Sequence, residues 1–355
     1  MEEILENTHP PAKEAKPLCP VFKECQGCLY QDIHYPDELK LKEDGLRDLL
    51  RARFDIPGET FLPIVPSPKP YYYRNRLDLK LKRTREEGVL IGFTPADRRG
   101  VLPVDACFIA EENICAFIPE LKKQALARLP AKYRVANLVV RTGDGGHVSW
   151  GGIGRRSCEL APRDYFWTQI EGRKIFYSLD TFFQANLSIL PEVFRVIASL
   201  DCFKAAPVFY DLYGGVGLFG IGLGRIVEQA FLIEENPACL KLARYNRTVN
   251  AVDNLTIAGG KVEERLPGLL AKAPGKTKVA MVDPPRAGLS HSACRQIAGV
   301  RECGHLLYLS CNPESLARDL GVFLKEGWKI EKIRPFDFFP KTRHLETLAV
   351  LAKRP

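Results

Sequence analysis

The sequence predicts an α/β protein with a mostly parallel sheet in its carboxyl-terminal half and a smaller, β-rich domain before it. Two patterns predict this fold. From about residue 176 onward, short apolar runs alternate with helical patterns, as in consecutive βαβ units. In the first half, Leu77, Leu79 and Leu81 alternate with polar residues, which is the period of a half-buried strand.

The composition is that of a globular protein with room for two domains. The chain has 355 residues and a net charge of +8, and no apolar run in it is long enough to cross a membrane. Residues 1–16 are polar and acidic, which indicates a disordered arm rather than a secretory signal. We therefore expect a cytoplasmic monomer with a β-rich domain over 17–175 and an α/β domain over 176–355.

The elements of the first half follow from local periodicity. A helical pattern covers residues 37–54, and turn residues at 144–146 indicate a hairpin. Further strands are predicted at 89–94, 136–143 and 147–154.

The second half begins with a helical pattern over 187–200. Strand and helix patterns then alternate, at 208–214, 229–235, 237–251, 255–260, 278–288, 305–311, 314–327, 329–338 and 345–353.

A basic cluster lies between residues 71 and 85. YYYRNRLDLKLKRTR contains six basic residues, one acid and three leading aromatics. Cations that contact phosphates and aromatics that stack on bases are typical of single-stranded RNA binding. An exposed edge strand protected by charges would give the same pattern, so both interpretations stay open.

A glycine-rich turn follows the strand at 208–214. Gly215 and Gly217 lie where a strand passes into a helix, which lets the backbone approach a nucleoside closely. Glu234 ends the next strand, 23 residues after Asp211, where a carboxylate can accept both hydroxyls of a ribose. The turn lacks the diphosphate-binding fingerprint. S-adenosylmethionine, which has a ribose and no phosphate, therefore fits it better than a dinucleotide, and a purely structural loop is the alternative.

Two further residues follow predicted parallel strands. Asp283 precedes two prolines, which stiffen the backbone at the carboxyl edge of the sheet. Cys311 ends the strand at 305–311, directly before a helix. A lone cysteine is most often an inert core residue, but at this edge, where open α/β sheets carry their chemistry, a thiol suggests covalent catalysis.

Several motifs in order resemble one family. DPPRAG, LSCNPESLARDL and FDFFPKTRHLETLAVL, together with TFFQAN and DLYGGVG, resemble the RNA uridine carbon-5 methyltransferases that act on ribosomal RNA and on the T-loop of transfer RNA. The resemblance runs from about Pro17 to the carboxyl terminus. It implies a class I methyltransferase domain with a seven-stranded sheet, and transfer of a methyl group from S-adenosylmethionine to give 5-methyluridine.

The resemblance also implies residue roles. Cys311 is the nucleophile and Glu346 the base, and Phe182 would lie against the flipped uracil. The residues implied around S-adenosylmethionine are Gln184, Tyr213, Gly215, Gly217, Glu234 and Asp283.

The chemistry asks for these residue types. Carbon 5 of uracil becomes nucleophilic only when a thiolate adds to carbon 6, and a carboxylate must later remove the carbon-5 proton. Cys311 must then be partly thiolate, and a following helix N-terminus or a nearby cation would favour that state. Arg286 and His344 are candidate cations, and a structural role or contact with the substrate RNA is the alternative for both. The base must also be extruded from its stack.

Three cysteines crowd into ten residues near the amino terminus. Cys19, Cys25 and Cys28, with Cys107, resemble the iron–sulfur pattern of one branch of this family. Four thiolates suit a 4Fe–4S cluster or zinc, and the three-plus-one spacing favours the cluster, although neither metal is required. Cys115 is an alternative fourth ligand.

Many relatives carry an RNA-binding barrel before the cysteines. Here the cysteines begin at residue 19, so we expect that barrel to be missing. This arrangement, together with the cysteine pattern, is most like the short branch that acts on 23S ribosomal RNA. Transfer RNA is the rival substrate. An RNA-binding or assembly protein that keeps the fold without the chemistry is an alternative of another class. An amino-group methyltransferase is disfavoured because Arg286, not an aromatic, follows the two prolines.

Overall fold

A computed structural model describes residues 13–84, 88–129, 132, 134–152 and 160–353, and it confirms the predicted α/β fold class. Arg85 of the basic cluster, Cys158, the end of the predicted strand at 147–154 and most of the predicted arm lie outside the described residues. Among the described residues, no helix combines the length and the apolar character needed to cross a membrane.

The amino-terminal half contains one antiparallel sheet in its described part. Its elements are α1 (Tyr35–Arg51), β1 (Arg76–Arg83), β2 (Val89–Phe93), β3 (Leu102–Pro103), α2 (Glu112–Arg128), β4 (Val135–Arg141) and β5 (Ser149–Gly152). The strand order is β3-β2-β1-β4-β5. The predicted turn joins β4 to β5, and Gly146 adopts a φ of 75° there.

The basic cluster does not form an edge strand. β1 pairs with β2 on one side and with β4 on the other, so the edge-strand interpretation is wrong. Leu77, Leu79 and Leu81 are buried in one core with residues of α2. Because strand side chains alternate, Lys80 and Lys82 lie on the opposite face of the sheet.

The carboxyl-terminal half contains the mostly parallel sheet. Its elements are β6 (Phe166–Ile170), β7 (Arg173–Tyr177), α3 (Leu190–Ala198), β8 (Val208–Leu212), α4 (Leu218–Gly222), β9 (Gln229–Glu234), α5 (Pro237–Val249), β10 (Leu255–Gly259), α6 (Val262–Leu270), β11 (Lys278–Val282), α7 (His291–Gly299), β12 (Cys303–Ser310), α8 (Pro313–Lys325), β13 (Trp328–Phe336) and β14 (Glu346–Lys353).

The described strands of this sheet are ordered β10-β9-β8-β11-β12-β14-β13. The first five are parallel, and β14 runs antiparallel to both of its neighbours. Every residue of β8 and β11 is buried, as expected for central strands covered on both faces. The strand order reverses between β8 and β11, and ligands of open α/β sheets bind at such a point.

The core of the large sheet extends across the predicted domain boundary. The boundary at 175/176 falls inside β7, and Phe166 and Ile175 of the β6–β7 hairpin belong to the core beneath the large sheet. Leu46 and Leu50 of α1 also lie in a core shared with that sheet. We therefore propose that the carboxyl-terminal domain begins before Tyr165 and includes α1.

The segments around α1 also attach to other parts of the chain. Leu62 donates a backbone hydrogen bond of 2.9 Å to Ile333 O of β13. The Ala15 N–H donates to Asp32 O at 2.8 Å, and Glu14 bridges to Ile33. Residues 13–15, which fall within the predicted disordered arm, are therefore paired with the chain that leads into α1.

Candidate active site

The carboxyl ends of three adjacent strands carry the predicted site residues. β8 leads into the glycine-rich turn, β11 into Asp283 and β12 into Cys311. Because β8, β11 and β12 are neighbours in the sheet, these segments meet along one edge at the point where the strand order reverses. The structure thus brings the predicted cofactor and covalent sites together.

The glycine-rich turn packs tightly against β9. Gly217 has a φ of 91°, and a Cβ at Gly214 would lie 2.5 Å from Leu232 Cγ. This turn directs the Gly215 N–H to Glu234 Oε2 at 2.9 Å, while Glu234 Oε1 accepts the Asn236 N–H at 2.7 Å. The Glu234 carboxylate is therefore fixed in orientation, and each oxygen keeps a lone pair for a further donor. 

Tyr213, at the start of the turn, is half-buried with a φ of 65°. It packs against the core that contains Leu46 and Leu50 of α1. Its left-handed backbone sets the direction in which the chain leaves β8.

Gln184 and Asp283 form a direct hydrogen bond. Gln184 Nε2 donates to Asp283 Oδ2 at 3.0 Å, and Gln184 is 4% exposed. The side chain of Asn75 donates to Gln184 O at 3.0 Å. Burial, with the charge of Asp211 next, raises the pKa of Asp283 to about 7, and the Gln184 donor opposes that rise.

Arg141 of β4 binds the segment that precedes Gln184. It is fully buried and donates to Ser178 O, Thr181 O and Phe183 O at 2.5, 2.7 and 3.3 Å. Sequence reasoning missed both Arg141 and Asn75, because neither lies in a recognisable motif. Only the tertiary fold brings these side chains of the amino-terminal half to the segment 178–184.

The strand register brings Cys311 and Glu346 together. The last pair between β12 and β14 joins Ser310 to Thr347, so the next residues on the two antiparallel strands are Cys311 and Glu346. Paired residues on antiparallel strands have Cα atoms roughly 4.5–5.5 Å apart. Glu346 is 4% exposed, and its Oε2 has no hydrogen-bond partner among the described groups.

Ionisation in this cluster is unfavourable. Burial raises the pKa of Cys311 to about 12, with further contributions from the charges of Glu346 and Asp283, whereas Arg286 lowers it. The pKa of Glu346 is likewise raised by burial and by Asp283. The expectation of a partly ionised Cys311 is therefore wrong for the protein without ligands.

Only one of the two expected cations acts on Cys311. Burial, with Arg286 and Arg343 nearby, lowers the pKa of His344 to about 4, so its ring is neutral near pH 7. His344 thus does not supply the cation that the sequence analysis expected, and Arg286 does.

The Cys311 loop is tied to the Asp283 loop. Asn312 caps α8 by accepting the Glu314 N–H at 3.1 Å, and its amide donates to Arg286 O at 3.0 Å. The cap therefore fixes the loop that carries Arg286 relative to Cys311.

The two neighbouring phenylalanines differ in burial. Phe183 is buried and its ring stacks on Tyr177 with centroids 4.1 Å apart, so it is a core residue. Phe182 is 68% exposed, and its backbone N–H faces the Cys239 thiol of α5. Phe182 therefore presents an accessible ring, and its backbone lies on the β9 side of the site.

The four amino-terminal site cysteines line one cavity. This cavity has a volume of about 160 Å³ and is bordered by Cys19, Cys25, Cys28 and Cys107. Among the described residues, no three His, Cys, Asp or Glu side chains converge closely enough to hold a single metal ion. Cys115 does not border this cavity, and its thiol donates to Cys107 O at 3.0 Å.

Comparison with known proteins places this geometry in context. The family described as tRNA (Uracil-5-)-methyltransferase matches residues 163–354. An uncharacterized RNA methyltransferase of Caldanaerobacter subterraneus subsp. tengcongensis is 28% identical, over 99% of this chain and 88% of the relative. An uncharacterized RNA methyltransferase of Aquifex aeolicus is 27% identical, over 96% and 84%.

Among solved structures, the Pyrococcus abyssi tRNA (uracil-54, C5)-methyltransferase in complex with S-adenosyl-L-homocysteine has a similar fold. The TM-score is 0.70 at 23% identity, over 92% of this chain and 86% of the other.

The charges around Cys311 predict its reactivity. Arg286→Met removes a cation that lowers the Cys311 pKa, so at pH 9 alkylation of Cys311 should slow. Asp283→Asn removes a negative charge that raises that pKa, so alkylation should accelerate. Each unit of pKa changes the thiolate fraction about tenfold, and we expect changes of several-fold, measured by mass spectrometry of iodoacetamide-treated protein.

Glu314→Gln, which replaces an exposed carboxylate in the first turn of α8, is the control and should leave the rate unchanged. Equal effects of all three substitutions, or the reverse order, would contradict this account of the cluster.

Proposed function

The chain belongs to the tRNA (uracil-5-)-methyltransferase family, whose sequence pattern covers more than half of it, and we propose that its reaction passes through a covalent bond between Cys311 and uracil. It is an S-adenosylmethionine-dependent RNA (uracil-5-)-methyltransferase. The observation that carries the covalent mechanism is the β12–β14 register, which makes the one thiol at this edge a neighbour of a buried carboxylate with a free oxygen.

The first half of the reaction depends on Cys311. Its thiol loses a proton to water, favoured by Arg286 and by a bound cationic cofactor. The Cys311 sulfur bonds to carbon 6 of uracil, and the carbon 5–carbon 6 electron pair moves toward oxygen 4. S-adenosylmethionine, when bound, would supply an electrophilic methyl group to carbon 5, with the methyl–sulfur bond breaking and its electron pair staying on sulfur to leave S-adenosylhomocysteine.

The second half depends on Glu346. Its carboxylate accepts the proton from carbon 5, and the electrons of that C–H bond restore the carbon 5–carbon 6 double bond. The Cys311 thiolate then leaves, which frees the methylated base. Glu346 must be ionised for this step, and the charge of Arg286 favours that state against the effect of burial on its pKa.

The remaining predicted residues suit the cofactor. The glycine-rich turn leaves space for a nucleoside, Glu234 presents oriented carboxylate oxygens to a ribose, and the Gln184–Asp283 pair closes the adjoining side. We propose that Tyr213, Gly215 and Gly217 complete this pocket.

The RNA surface proposed from the sequence has a physical basis on β1. Lys80, Asn137 and Phe93 line a cavity of about 310 Å³ on the sheet, which Cys25 and Asp78 also border, and Asp78 is paired with Arg76. Basic and aromatic groups around a cavity suit an unstacked nucleotide. We propose that this face binds RNA, and that the exposed ring of Phe182 stacks on the extruded base.

We propose a 4Fe–4S cluster at Cys19, Cys25, Cys28 and Cys107. A zinc ion needs four sulfurs within about 2.3 Å of one point, whereas each iron of a cluster takes a separate thiolate, so these sulfurs need not converge. The cavity that all four cysteines border, together with their three-plus-one spacing in the sequence, supports the cluster. The cluster would tie the amino-terminal segment to the β-rich sheet and takes no part in methyl transfer.

For the target we propose 23S ribosomal RNA, because the four-cysteine set resembles that branch of the family. The family's own description, which refers to tRNA, favours the T-loop uridine of transfer RNA as the second candidate.

The covalent step predicts a trapped complex. RNA with 5-fluorouridine at the target lacks the proton that Glu346 removes, so the wild-type protein should form a complex with it that survives denaturing electrophoresis. Cys311→Ala should form none and should lose methyl transfer by at least about 10³-fold. Cys294→Ala, at a buried cysteine of α7, is the control and should still form the complex. Methylation of RNA by Cys311→Ala would refute the covalent mechanism.

The choice of RNA predicts where 5-methyluridine disappears. In a strain lacking this gene, one or more 5-methyluridines should be lost from 23S ribosomal RNA while transfer RNA is unchanged. Mass-spectrometric mapping of both RNAs decides between them, and loss from the T-loop alone would establish transfer RNA as the substrate.

The cluster predicts a visible chromophore. Protein purified without oxygen should absorb near 400 nm and contain iron, and Cys107→Ser should lose both. Cys115→Ser, at the thiol that borders no part of this cavity, should retain them. A colourless protein containing zinc would contradict the assignment.

A further inference from the structure

We propose that Lys42 of α1 is a positioning residue for Glu346, because it anchors the loop that leads into β14. This inference rests on the proposed role of Glu346 as the base. It assigns a function in the second half of the reaction to a buried lysine remote in sequence from the site motifs.

The loop between β13 and β14, residues 337–345, ends directly before Glu346. It contains no helix or strand, and although the Thr342 N–H donates to Phe339 O at 3.1 Å within it, its other carbonyls need partners from elsewhere in the chain. Glu346 is the first residue of β14 and pairs with Phe336, so this loop joins the two ends of that pair and a change in its shape should move the carboxylate relative to Cys311.

Four consecutive carbonyls of this loop accept hydrogen bonds from four separate parts of the chain. Asn186 donates to Phe338 O at 3.1 Å and Lys42 to Phe339 O at 3.1 Å. Tyr73 donates its hydroxyl to Pro340 O at 3.0 Å. The N–H groups of residues 29 and 30, next to the cysteine segment, donate to the 341 carbonyl at 2.8 and 3.1 Å.

Lys42 holds the charged centre of this loop. Its ammonium lies 2.8 Å from Asp337 Oδ1 and 2.7 Å from Glu38 Oε1. Glu38 in turn accepts the Lys341 N–H at 2.6 Å and pairs with Lys341 Nζ at 3.1 Å. Two cations and two carboxylates are therefore paired where all four side chains are almost fully buried.

Glu38 joins α1 to Lys341, and Lys42 joins the same helix to Asp337 and Phe339 of the loop. The three hydrogen bonds of Lys42 reach its own helix, the first residue of the loop and the carbonyl of the third. An ammonium has three donor hydrogens, so every donor is used. Such a fully satisfied buried group fixes one geometry, because any displacement leaves a charge unpaired.

The consequence is specific to one step. Cys311 follows β12 and is fixed by the Asn312 cap, so addition to uracil and methyl transfer do not depend on the 337–345 loop. Removal of the carbon-5 proton does, because Glu346 follows that loop. Loss of the Lys42 anchor should therefore slow elimination more than methyl transfer.

The test is the double substitution Lys42→Met with Asp337→Asn, which removes one charge of each sign and leaves the Glu38–Lys341 pair. Active sites are counted by complex formation with 5-fluorouridine RNA, which needs no base, so misfolded protein does not affect the result. Single-turnover transfer of labelled methyl to ordinary RNA is then compared with release of free product. Lys40→Met, at an exposed lysine of the same helix, is the control.

We expect methyl transfer within about threefold of wild type and product release slowed at least tenfold. A labelled, denaturation-resistant complex of protein and ordinary RNA should then accumulate. Wild-type release, or equal slowing of both steps per active site, would overturn the role of Lys42. If the wild-type protein forms no complex with 5-fluorouridine RNA, the covalent mechanism itself fails and this inference with it.

Discussion

The placement of β14 between β12 and β13 is the constraint on which the site depends. Strands β8 to β12 are parallel, and their carboxyl ends alone supply the glycine-rich turn, Asp283 and Cys311. A further parallel strand would bring its last residue to the same edge, after a crossover. The antiparallel β14 instead brings its first residue there, directly after a short loop, so Glu346 lies beside Cys311 by register.

The same edge concentrates acidic groups that are poorly solvated. Asp211, Asp283 and Glu346 all have raised pKa values, with burial as the largest cause, and Arg286 is the cation that acts on Cys311 and Glu346. A site of this kind is electrically incomplete by itself, since it attracts positive charge and disfavours a thiolate. A sulfonium ligand would complete it, which couples cofactor binding to activation of the nucleophile.

The local sequence pattern was enough to predict the fold class and the residues at the carboxyl edge of the sheet. Buried parallel strands are recognisable in the sequence as continuous apolar runs. Residues directly after such runs, for example Asp283 and Cys311, could therefore be assigned to one edge of the sheet from topology rules alone. The attachment of α1 to the large sheet could not, because its apolar face does not identify its partner. The ionisation of Cys311 and His344 was also misjudged, since pKa values depend on burial and on charges that meet only after folding.

Arg141 and Asn75 make a segment of the carboxyl-terminal half depend on the amino-terminal half for its hydrogen bonds. Both side chains come from the amino-terminal half, yet they hold the carbonyls of the segment that carries Gln184. A carboxyl-terminal fragment that begins at Tyr165 would retain Cys311, Glu346 and Glu234 but lose the donors that fix the segment 178–184. A chimera whose front half comes from a relative would therefore need equivalent donors at these two positions to keep Gln184 in place.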